Sequence, residues 1–182
     1  VADCYGDSNA QPVILAHGGG QTRHSWGQTA RALAAEGYYA IVFDQRGHGD
    51  SDWAADGDYH FFSFAEDVMD IAAELTAKPI AVGASLGGIA SLTAQHLKPD
   101  LLKALILVDI TPNIQASGLE RIRNFMQEKM ETGFASLEEA AEYVQAYTPE
   151  RSRSIDPESL KKNLRLKEDG RWRWHWDPKF LD

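Results

Sequence analysis

One pentapeptide constrains this chain more than any other: Gly83-Ala84-Ser85-Leu86-Gly87, which lies between a short apolar run and a helical pattern. A G-x-S-x-G sequence between a strand and a helix forms a sharp turn, because the positions two before and two after the serine must lack bulk. Such a turn exposes the serine hydroxyl at a helix N-terminus, where backbone N–H groups face developing negative charge. The alternative is a glycine-rich turn in which Ser85 is only an N-cap. The motif therefore predicts Ser85 as a nucleophile.

The surrounding residues predict an α/β fold with a mainly parallel sheet flanked by helices. From Pro12 to Asp109, short apolar runs alternate with helical periodicities, as in βαβ units. The predicted strands are Val13–Ala16, Tyr39–Phe43, Pro79–Gly83 and Ala104–Val108, and the predicted helices are Ser25–Glu36, one that begins at Ser63, and Leu86–Leu97. The run ALILV at Ala104–Val108 has no polar residue, which predicts a strand buried on both faces. Ser63 and Glu66 have the spacing of a capping box.

The pattern changes after Asp109, where no strand-like run follows. Helical segments are predicted near Leu119–Glu131, Leu137–Ala146 and Pro157–Leu166, with N-terminal signals in the capping box of Ser136 and Glu139 and in the pair Asp156-Pro157. We therefore expect a core at residues 1–109, a helical cap at 110–176 and the start of a return to the core at 177–182. Tryptophan occupies every second position at Trp172, Trp174 and Trp176. These residues could form a strand-like edge or a lid surface, but packing within the core or the cap is the simplest expectation.

A glycine cluster follows the first predicted strand, in the sequence His17-Gly18-Gly19-Gly20. An acyl-transfer site needs two backbone N–H donors for the oxyanion, one from the residue after the nucleophile and one from such a loop. We assign these donors to Leu86 and Gly19, with Gly20 as the adjacent alternative. His17 is expected to order the loop rather than to act as a general base.

A second glycine-containing loop, Asp44 to Ser51, follows the second predicted strand. Asp44 and Arg46 are expected to form a charge-assisted pair that fixes this loop beside the site. A phosphate-binding loop is the competing interpretation, but the lysine and following Ser/Thr of that motif are missing. The acidic residues Glu66, Asp67 and Asp70 share a predicted helix face and are expected to be solvated, without a metal.

Composition and charge restrict the class of partner. The chain has 182 residues, is 43% hydrophobic and carries a formal net charge of −9, which is ordinary for a folded domain. Residues 1–150 hold 9 Lys/Arg against 21 Asp/Glu, and this acidic character argues against nucleic acid and anionic membranes as partners. The basic stretch from Arg151 to Arg173 is interpreted as a solvated face. The single cysteine, Cys4, excludes an internal disulfide, and no apolar run is long enough to span a bilayer. We expect a cytoplasmic protein.

Four segments together resemble the α/β-hydrolase superfamily. They are HGGGQTRHSW at 17–26, FDQRGHGDSDW at 43–53, GASLGG at 83–88 and ALILVDITP at 104–112. Within the superfamily the sequence resembles cofactor-free haloperoxidase-like hydrolases and small carboxylesterases. Ser85 distinguishes it from epoxide hydrolases and haloalkane dehalogenases, which use aspartate at that position.

The resemblance implies a catalytic triad in the order nucleophile, acid, histidine. Only His96 and His175 follow Ser85. His96 lies too far along its predicted helix, and His175, between Trp174 and Trp176, is expected to pack among aromatic residues, so both are poor candidates for the base. Asp109 occupies the position where a minority of family lipases carry the acid, although a structural role at the strand end is the more common one. We therefore expect a chain truncated at both ends, lacking its first strand or strands and its last two. Its sheet edges are then open to association.

The function implied is that of a serine hydrolase acting on esters or related small acyl substrates through an acyl-enzyme, with no metal or organic cofactor. A perhydrolase or haloperoxidase-type activity at the same site is one alternative. The other is a non-catalytic module that binds a small apolar ligand. Because the triad histidine is not recognised, the 182 residues alone are expected to hydrolyse p-nitrophenyl esters negligibly.

Overall fold

A computed structural model describes residues 1–110, 116–148 and 154–182 of the chain. The strands are β1 (Ala2–Tyr5), β2 (Gln11–Ala16), β3 (Tyr38–Phe43), β4 (Ile80–Ala84), β5 (Ala104–Val108), β6 (Leu164–Leu166) and β7 (Trp172–Trp174). The α-helices are α1 (Gly27–Ala35), α2 (Phe61–Ala73), α3 (Leu86–Leu97), α4 (Ala116–Glu128) and α5 (Leu137–Tyr147), and 3₁₀ turns cover Arg23–Trp26, Pro157–Lys162 and Pro178–Leu181.

The main sheet has the strand order β1-β3-β2-β4-β5, in which β3, β2, β4 and β5 run parallel. This arrangement confirms the predicted α/β class, and each of the four predicted strands lies within two residues of its observed bounds. The centre of the sheet is fully buried, with Ile14, Leu15 and Ala81 inaccessible to solvent. Because parallel strands end on one edge, the loops after β2, β3 and β4 meet at the carboxyl edge of the sheet.

The prediction that Ala104–Val108 is buried on both faces is wrong. Strand β5 is the last strand of the sheet and pairs only with β4. Ile106 is 50% exposed and Val108 38% exposed, because no described element covers the outer side of this strand. An apolar strand sequence indicates that other segments cover the strand, but it does not identify those segments.

A strand that the sequence analysis missed lies near the N-terminus. Strand β1 pairs antiparallel with β3, and Asp3 lies opposite Val42 in the register. Its residues alternate between exposed and half-buried, so the run ADCY carries too little apolar character to be recognised as a strand. The first strand predicted from the sequence, Val13–Ala16, is therefore the second strand of the structure.

The helices in the first half follow the prediction except at their starts. Helix α3 begins and ends where predicted, whereas the expected helix at Ser25–Glu36 is a 3₁₀ turn followed by α1. The capping box at Ser63 is wrong, because α2 begins at Phe61 with His60 as its N-cap. The Ser63 hydroxyl instead donates to the Asp58 carboxylate at 2.7 Å.

The segment after β5 contains more than helices. Helices α4 and α5 are present, and the Ser136 hydroxyl accepts the Glu139 N–H as a cap should, while the Glu139 carboxylate accepts the N–H of Ala135. The third predicted helix is wrong beyond Lys162, because β6 and β7 form an antiparallel hairpin there. The alternating tryptophans give the reason, since a period of two favours a strand and two of them lie in β7. The proposed cap at 110–176 and the return at 177–182 remain predictions. Residues 111–115 and 149–153 lie outside the described residues. The first range holds the end of the motif at 104–112, and the second contains Arg151.

The carboxyl-edge loops are held by a buried cation that the sequence analysis did not single out. Arg23 contacts the carboxylates of Asp44, Asp50 at 2.8 Å and Asp3 at 3.1 Å, and its own N–H donates to Asp44 at 2.6 Å. The Asp44 side chain is fully buried. Burial opposes the charge on Arg23, but the carboxylates of Asp50 and Asp44 outweigh it and raise the pKa of the guanidinium.

The predicted pair of Asp44 and Arg46 is therefore wrong. Arg46 instead forms a bidentate ion pair with Asp67 on α2, with both N···O distances at 2.7 Å. Arg46 reaches α2, whereas the Asp44 carboxylate is already engaged by Arg23 from the loop after β2. Asp67 is consequently an ion-pair partner and not the solvated residue that we expected.

The two aspartates provide a matched prediction for stability. Asp44→Asn should lower the free energy of unfolding by about 3 kcal/mol, because it leaves part of the charge on a buried guanidinium uncompensated. Asp67→Asn should lower it by less than about 1 kcal/mol, because that pair is partly solvated. Urea denaturation of both variants measures the difference, and equal losses would contradict the dominant role assigned to Arg23.

Candidate active site

Ser85 lies between the end of β4 and the first residue of α3 in a conformation that L-residues rarely adopt. Its φ is 45° and its ψ is −111°. Among the described residues that are not glycine, only Ser85 and Asp109 have positive φ. The Ser85 N–H donates to the Val108 carbonyl at 3.1 Å, which fixes the turn to the end of β5. A non-glycine residue held in this region is strained, and such strain is concentrated at functional sites.

The two outer glycines of the motif are required by close approach of the backbone. A Cβ on Gly83 would lie 2.4 Å from the Gly87 carbonyl oxygen, and a Cβ on Gly87 would lie 2.4 Å from the Ala16 carbonyl oxygen. Both distances are below any normal van der Waals contact. Gly87 also donates its N–H to the His17 carbonyl at 3.1 Å, so the start of α3 is fixed directly to the end of β2.

The backbone N–H groups at this junction separate into bonded and available donors. Leu86 is the first residue of α3, so its N–H has no acceptor within the helix. In the glycine loop, Gly18 donates to the Gln21 side chain and Gly20 donates to His48 Nε2, both at 3.1 Å. Gly19 donates to no residue in the described part of the chain. The alternative assignment of Gly20 as the loop donor is therefore disfavoured, and Gly19 and Leu86 remain candidates.

Two buried histidines hold the glycine loop in place. His17 donates from Nδ1 to the Gly18 carbonyl at 2.8 Å and accepts the Gln45 N–H at Nε2 at 3.1 Å. His48 donates from Nδ1 to the Arg46 carbonyl at 3.0 Å and accepts the Gly20 N–H at Nε2. These contacts confirm that His17 orders the loop. The role of His48 was not predicted from the sequence, although its position in a glycine-rich loop after a strand is a signal for it.

Both imidazoles are neutral near pH 7. Burial lowers the pKa of His17 to about 4. Burial also lowers the pKa of His48, to about 3, and the neighbouring His17 ring contributes to that shift. A neutral ring has one donor and one acceptor nitrogen, and this matches the hydrogen bonds that each ring makes. Protonation of either ring would turn its acceptor nitrogen into a donor facing a backbone N–H.

A cavity of about 270 Å³ opens in front of Ser85. Gly19, Ser85 and Leu86 line it together with Met126 of α4 and Phe180. Phe180 packs edge-on against His48 with ring centroids 4.8 Å apart. The site predicted from the sequence is thus brought together around one cavity, with the two candidate N–H donors beside the serine.

The remaining candidates do not complete a triad within the described residues. Asp109 follows Val108 at the end of β5 and is exposed, and no described histidine forms a hydrogen bond with it or with Ser85. His175 lies with its Nε2 atom 3.8 Å from the Asp50 carboxylate, and burial followed by the Arg165 charge lowers its pKa. His96 is exposed in the last turn of α3.

Two further structural findings concern the described residues alone. They contain no group of three His, Cys, Asp or Glu side chains arranged to hold a metal ion. None of their helices is both long enough and apolar enough to cross a membrane.

Comparison with known proteins places the chain in a family. A family model described as alpha/beta hydrolase fold matches residues 11–173, so the chain belongs to the alpha/beta hydrolase fold family. It is 32% identical to esterase Rv0045c of Mycobacterium tuberculosis, over 93% of the chain and 57% of that protein. It is 27% identical to the 3-hydroxybutyrate-oligomer hydrolase of Cupriavidus necator, over 96% of the chain and 61% of that protein.

A solved structure agrees with this assignment. The alpha/beta hydrolase from Novosphingobium aromaticivorans superposes with a TM-score of 0.82 at 26% sequence identity, over 98% of the chain and 64% of that structure. The chain thus spans less than two thirds of the length of these proteins.

The neutral histidines predict a pH dependence of stability. Between pH 7.5 and 5 the unfolded chain takes up protons on these rings at the ordinary pKa of 6.5, while the folded chain does not. The free energy of unfolding should therefore fall as the pH falls, by about 2 kcal/mol for each histidine over this range. Urea denaturation at several pH values should show a smaller fall in His48→Gln, which removes one titrating ring. Identical pH dependence in the two proteins would contradict the neutral, buried state of His48.

Proposed function

We propose that the protein containing this chain is a serine hydrolase that cleaves esters or related small acyl substrates. The observation that carries the proposal is the positive φ of Ser85 at the N-terminus of α3, beside two available backbone N–H groups. A strained serine that faces a cavity has no evident structural purpose, whereas a nucleophile needs this exposure.

The proposed reaction begins with attack of Ser85 Oγ on the substrate carbonyl carbon. The carbonyl oxygen acquires negative charge and accepts hydrogen bonds from the N–H groups of Gly19 and Leu86. When the C–O bond to the alcohol breaks, the acyl group stays on Ser85 as an ester and the alcohol leaves with a proton. Water then cleaves the acyl-enzyme, and Ser85 is regenerated.

Ser85 must transfer its proton to a general base. His17 and His48 are unsuited, because both nitrogens of each ring already bond to other groups. His175 is unsuited because its Nε2 faces the Asp50 carboxylate. We propose that the base is none of these three, and that Asp109 is the candidate acid for a histidine that approaches the end of β5.

The named relatives support the reaction class. One similar protein is named an esterase and another a hydrolase of 3-hydroxybutyrate oligomers, and both names refer to cleavage of ester-type bonds. A polar nucleophile beside a cavity of about 270 Å³ fits a small acyl group. This combination favours catalysis over the alternative of a binding module without activity.

A fluorophosphonate probe tests the nucleophile in the full-length protein. We expect a single adduct on Ser85, mapped by mass spectrometry, and loss of both labelling and ester hydrolysis by about 10³-fold or more in Ser85→Ala. The matched control is Ser91→Ala on the same helix, because the Ser91 hydroxyl is buried and donates to the Gly87 carbonyl at 2.7 Å. Labelling should persist in that control. Labelling at another residue, or none in the folded protein, would refute the proposal.

A further inference from the structure

Phe180 forms part of the wall of the Ser85 cavity beside the glycine loop. A Cβ built on Gly19 would lie 3.4 Å from two carbons of the Phe180 ring, so the ring packs closely against the Gly19 backbone. The Gly19 N–H is a candidate donor to the carbonyl oxygen of the substrate. The Phe180 ring therefore lies next to the reacting carbonyl group and not at the far end of the cavity.

Three aromatic rings support Phe180 from the side away from the cavity. His48, Tyr59 and Phe64 meet its ring edge-on, with centroids 4.8, 6.0 and 6.0 Å away. None of the three lines the cavity, and His48 and Phe64 are at most 1% exposed. A protein interior is close-packed, so these rings leave Phe180 no space into which it could withdraw.

The backbone that carries this ring is also fixed. It belongs to the 3₁₀ turn Pro178–Leu181, whose N-cap Asp177 accepts the Lys179 N–H at 3.0 Å. The second carboxylate oxygen of Asp177 accepts the Tyr59 hydroxyl at 2.5 Å, and the Asp177 N–H donates to the Gly47 carbonyl at 2.7 Å. Burial and the bond to Asp177 raise the pKa of Tyr59 to about 12, so its hydroxyl remains a donor near pH 7.

Three other side chains of the cavity yield more easily. Phe61 is 51% exposed and Ile122 is 42% exposed, so both can rotate into solvent when a substrate enters. Met126 is buried, but its unbranched thioether chain adapts to the shape of a neighbouring group. A substrate group that meets Phe180 is therefore restricted in size more strictly than one that meets these three.

We propose that Phe180 determines which esters react at Ser85, by excluding those that branch at the first carbon on the side of the ester bond that faces its ring. Tyr59 is a positioning residue that holds this ring in place through Asp177. The inference rests on the proposed ester hydrolysis at Ser85 and narrows its substrate class to esters with an unbranched group on that side.

Two pairs of isomeric esters test this selection in the full-length protein. p-Nitrophenyl butanoate and 2-methylpropanoate differ by a branch in the acyl half, and propyl and isopropyl acetate differ by a branch in the alcohol half. The quantity measured is the ratio of kcat/KM for the linear isomer to kcat/KM for the branched isomer. Differences in intrinsic reactivity are the same for every variant, so they cancel when the ratios of two variants are compared.

Replacing the ring by a smaller side chain should make room for the branch. In Phe180→Ala the ratio should fall by about 10-fold for at least one pair. Phe180→Leu, which keeps an apolar side chain for packing, should show a smaller fall for the same pair and replaces Phe180→Ala if that variant does not fold. Wild-type ratios for both pairs in Phe180→Leu would overturn the inference.

The matched control is Phe134→Leu. Phe134 is fully buried and packs against Tyr143 and Trp174, but it does not line the Ser85 cavity. This variant loses a buried ring as Phe180→Leu does, and it should keep the wild-type ratios. A fall as large as that in Phe180→Leu would show that general loosening and not the wall at Phe180 changes the selection, which contradicts the inference.

Tyr59→Phe tests the positioning role, because it removes the hydroxyl bond to Asp177 and keeps the ring. The ratio should fall for the pair that Phe180→Ala affects, by less than in that variant. A purely structural loss would lower kcat/KM for both isomers equally. An unchanged ratio would therefore contradict the role of Tyr59.

A binding measurement separates this inference from the proposed activity. If the wild-type protein cleaves no ester, the proposed function fails, and the same isomers are then titrated into it by calorimetry. The linear isomer of one pair should bind more tightly, and Phe180→Leu should remove the difference; equal binding of the isomers would refute the inference as well. If esters are cleaved with ratios that the Phe180 variants do not change, the assignment of Phe180 alone fails.

Discussion

The approach of the β4–α3 turn to the end of β2 is the constraint on which the site depends. Gly87 lies so close to the Ala16 carbonyl that a single added carbon would overlap it, and its N–H is bonded to the His17 carbonyl. This contact sets the start of α3 against the glycine loop, and with it the relative position of Leu86 and Gly19. Ser85 is held in its strained conformation because both of its neighbours are fixed, on one side by β4 and on the other by this contact.

A layer of buried polar groups holds the loops around that contact. Arg23 joins the loop after β2 to the loop after β3 through the buried Asp44 carboxylate, and the two neutral histidines bond to the backbone of the glycine loop. The Gly18 N–H is bonded to the Gln21 side chain and the Gly20 N–H to His48, whereas the Gly19 N–H has no acceptor among the described residues. Such preorganisation is what an oxyanion site requires, because donors that are already oriented need no rearrangement during the reaction.

The sequence predicted the centre of the fold well and its borders less well. Helix α3 and the strand before it were predicted because Gly83, Ser85 and Gly87 have a local steric reason to occur together. The partner of Asp44 could not be predicted, because Arg23 is 21 residues away and the choice between Arg23 and Arg46 depends on which way each side chain points. The exposure of β5 was missed for a similar reason, since burial depends on what covers a strand and not on its own residues. The role of His48 likewise emerges only from its contact with the distant glycine loop.

A crystal structure of the full-length protein with a phosphonate covalently bound to Ser85 is the most direct test of the oxyanion site. We predict that the phosphoryl oxygen lies about 2.7–3.1 Å from the backbone nitrogens of both Gly19 and Leu86, with Gly20 still bonded to His48. A phosphoryl oxygen that points away from both nitrogens, or one bound by Gly20 after its bond to His48 has broken, would contradict it.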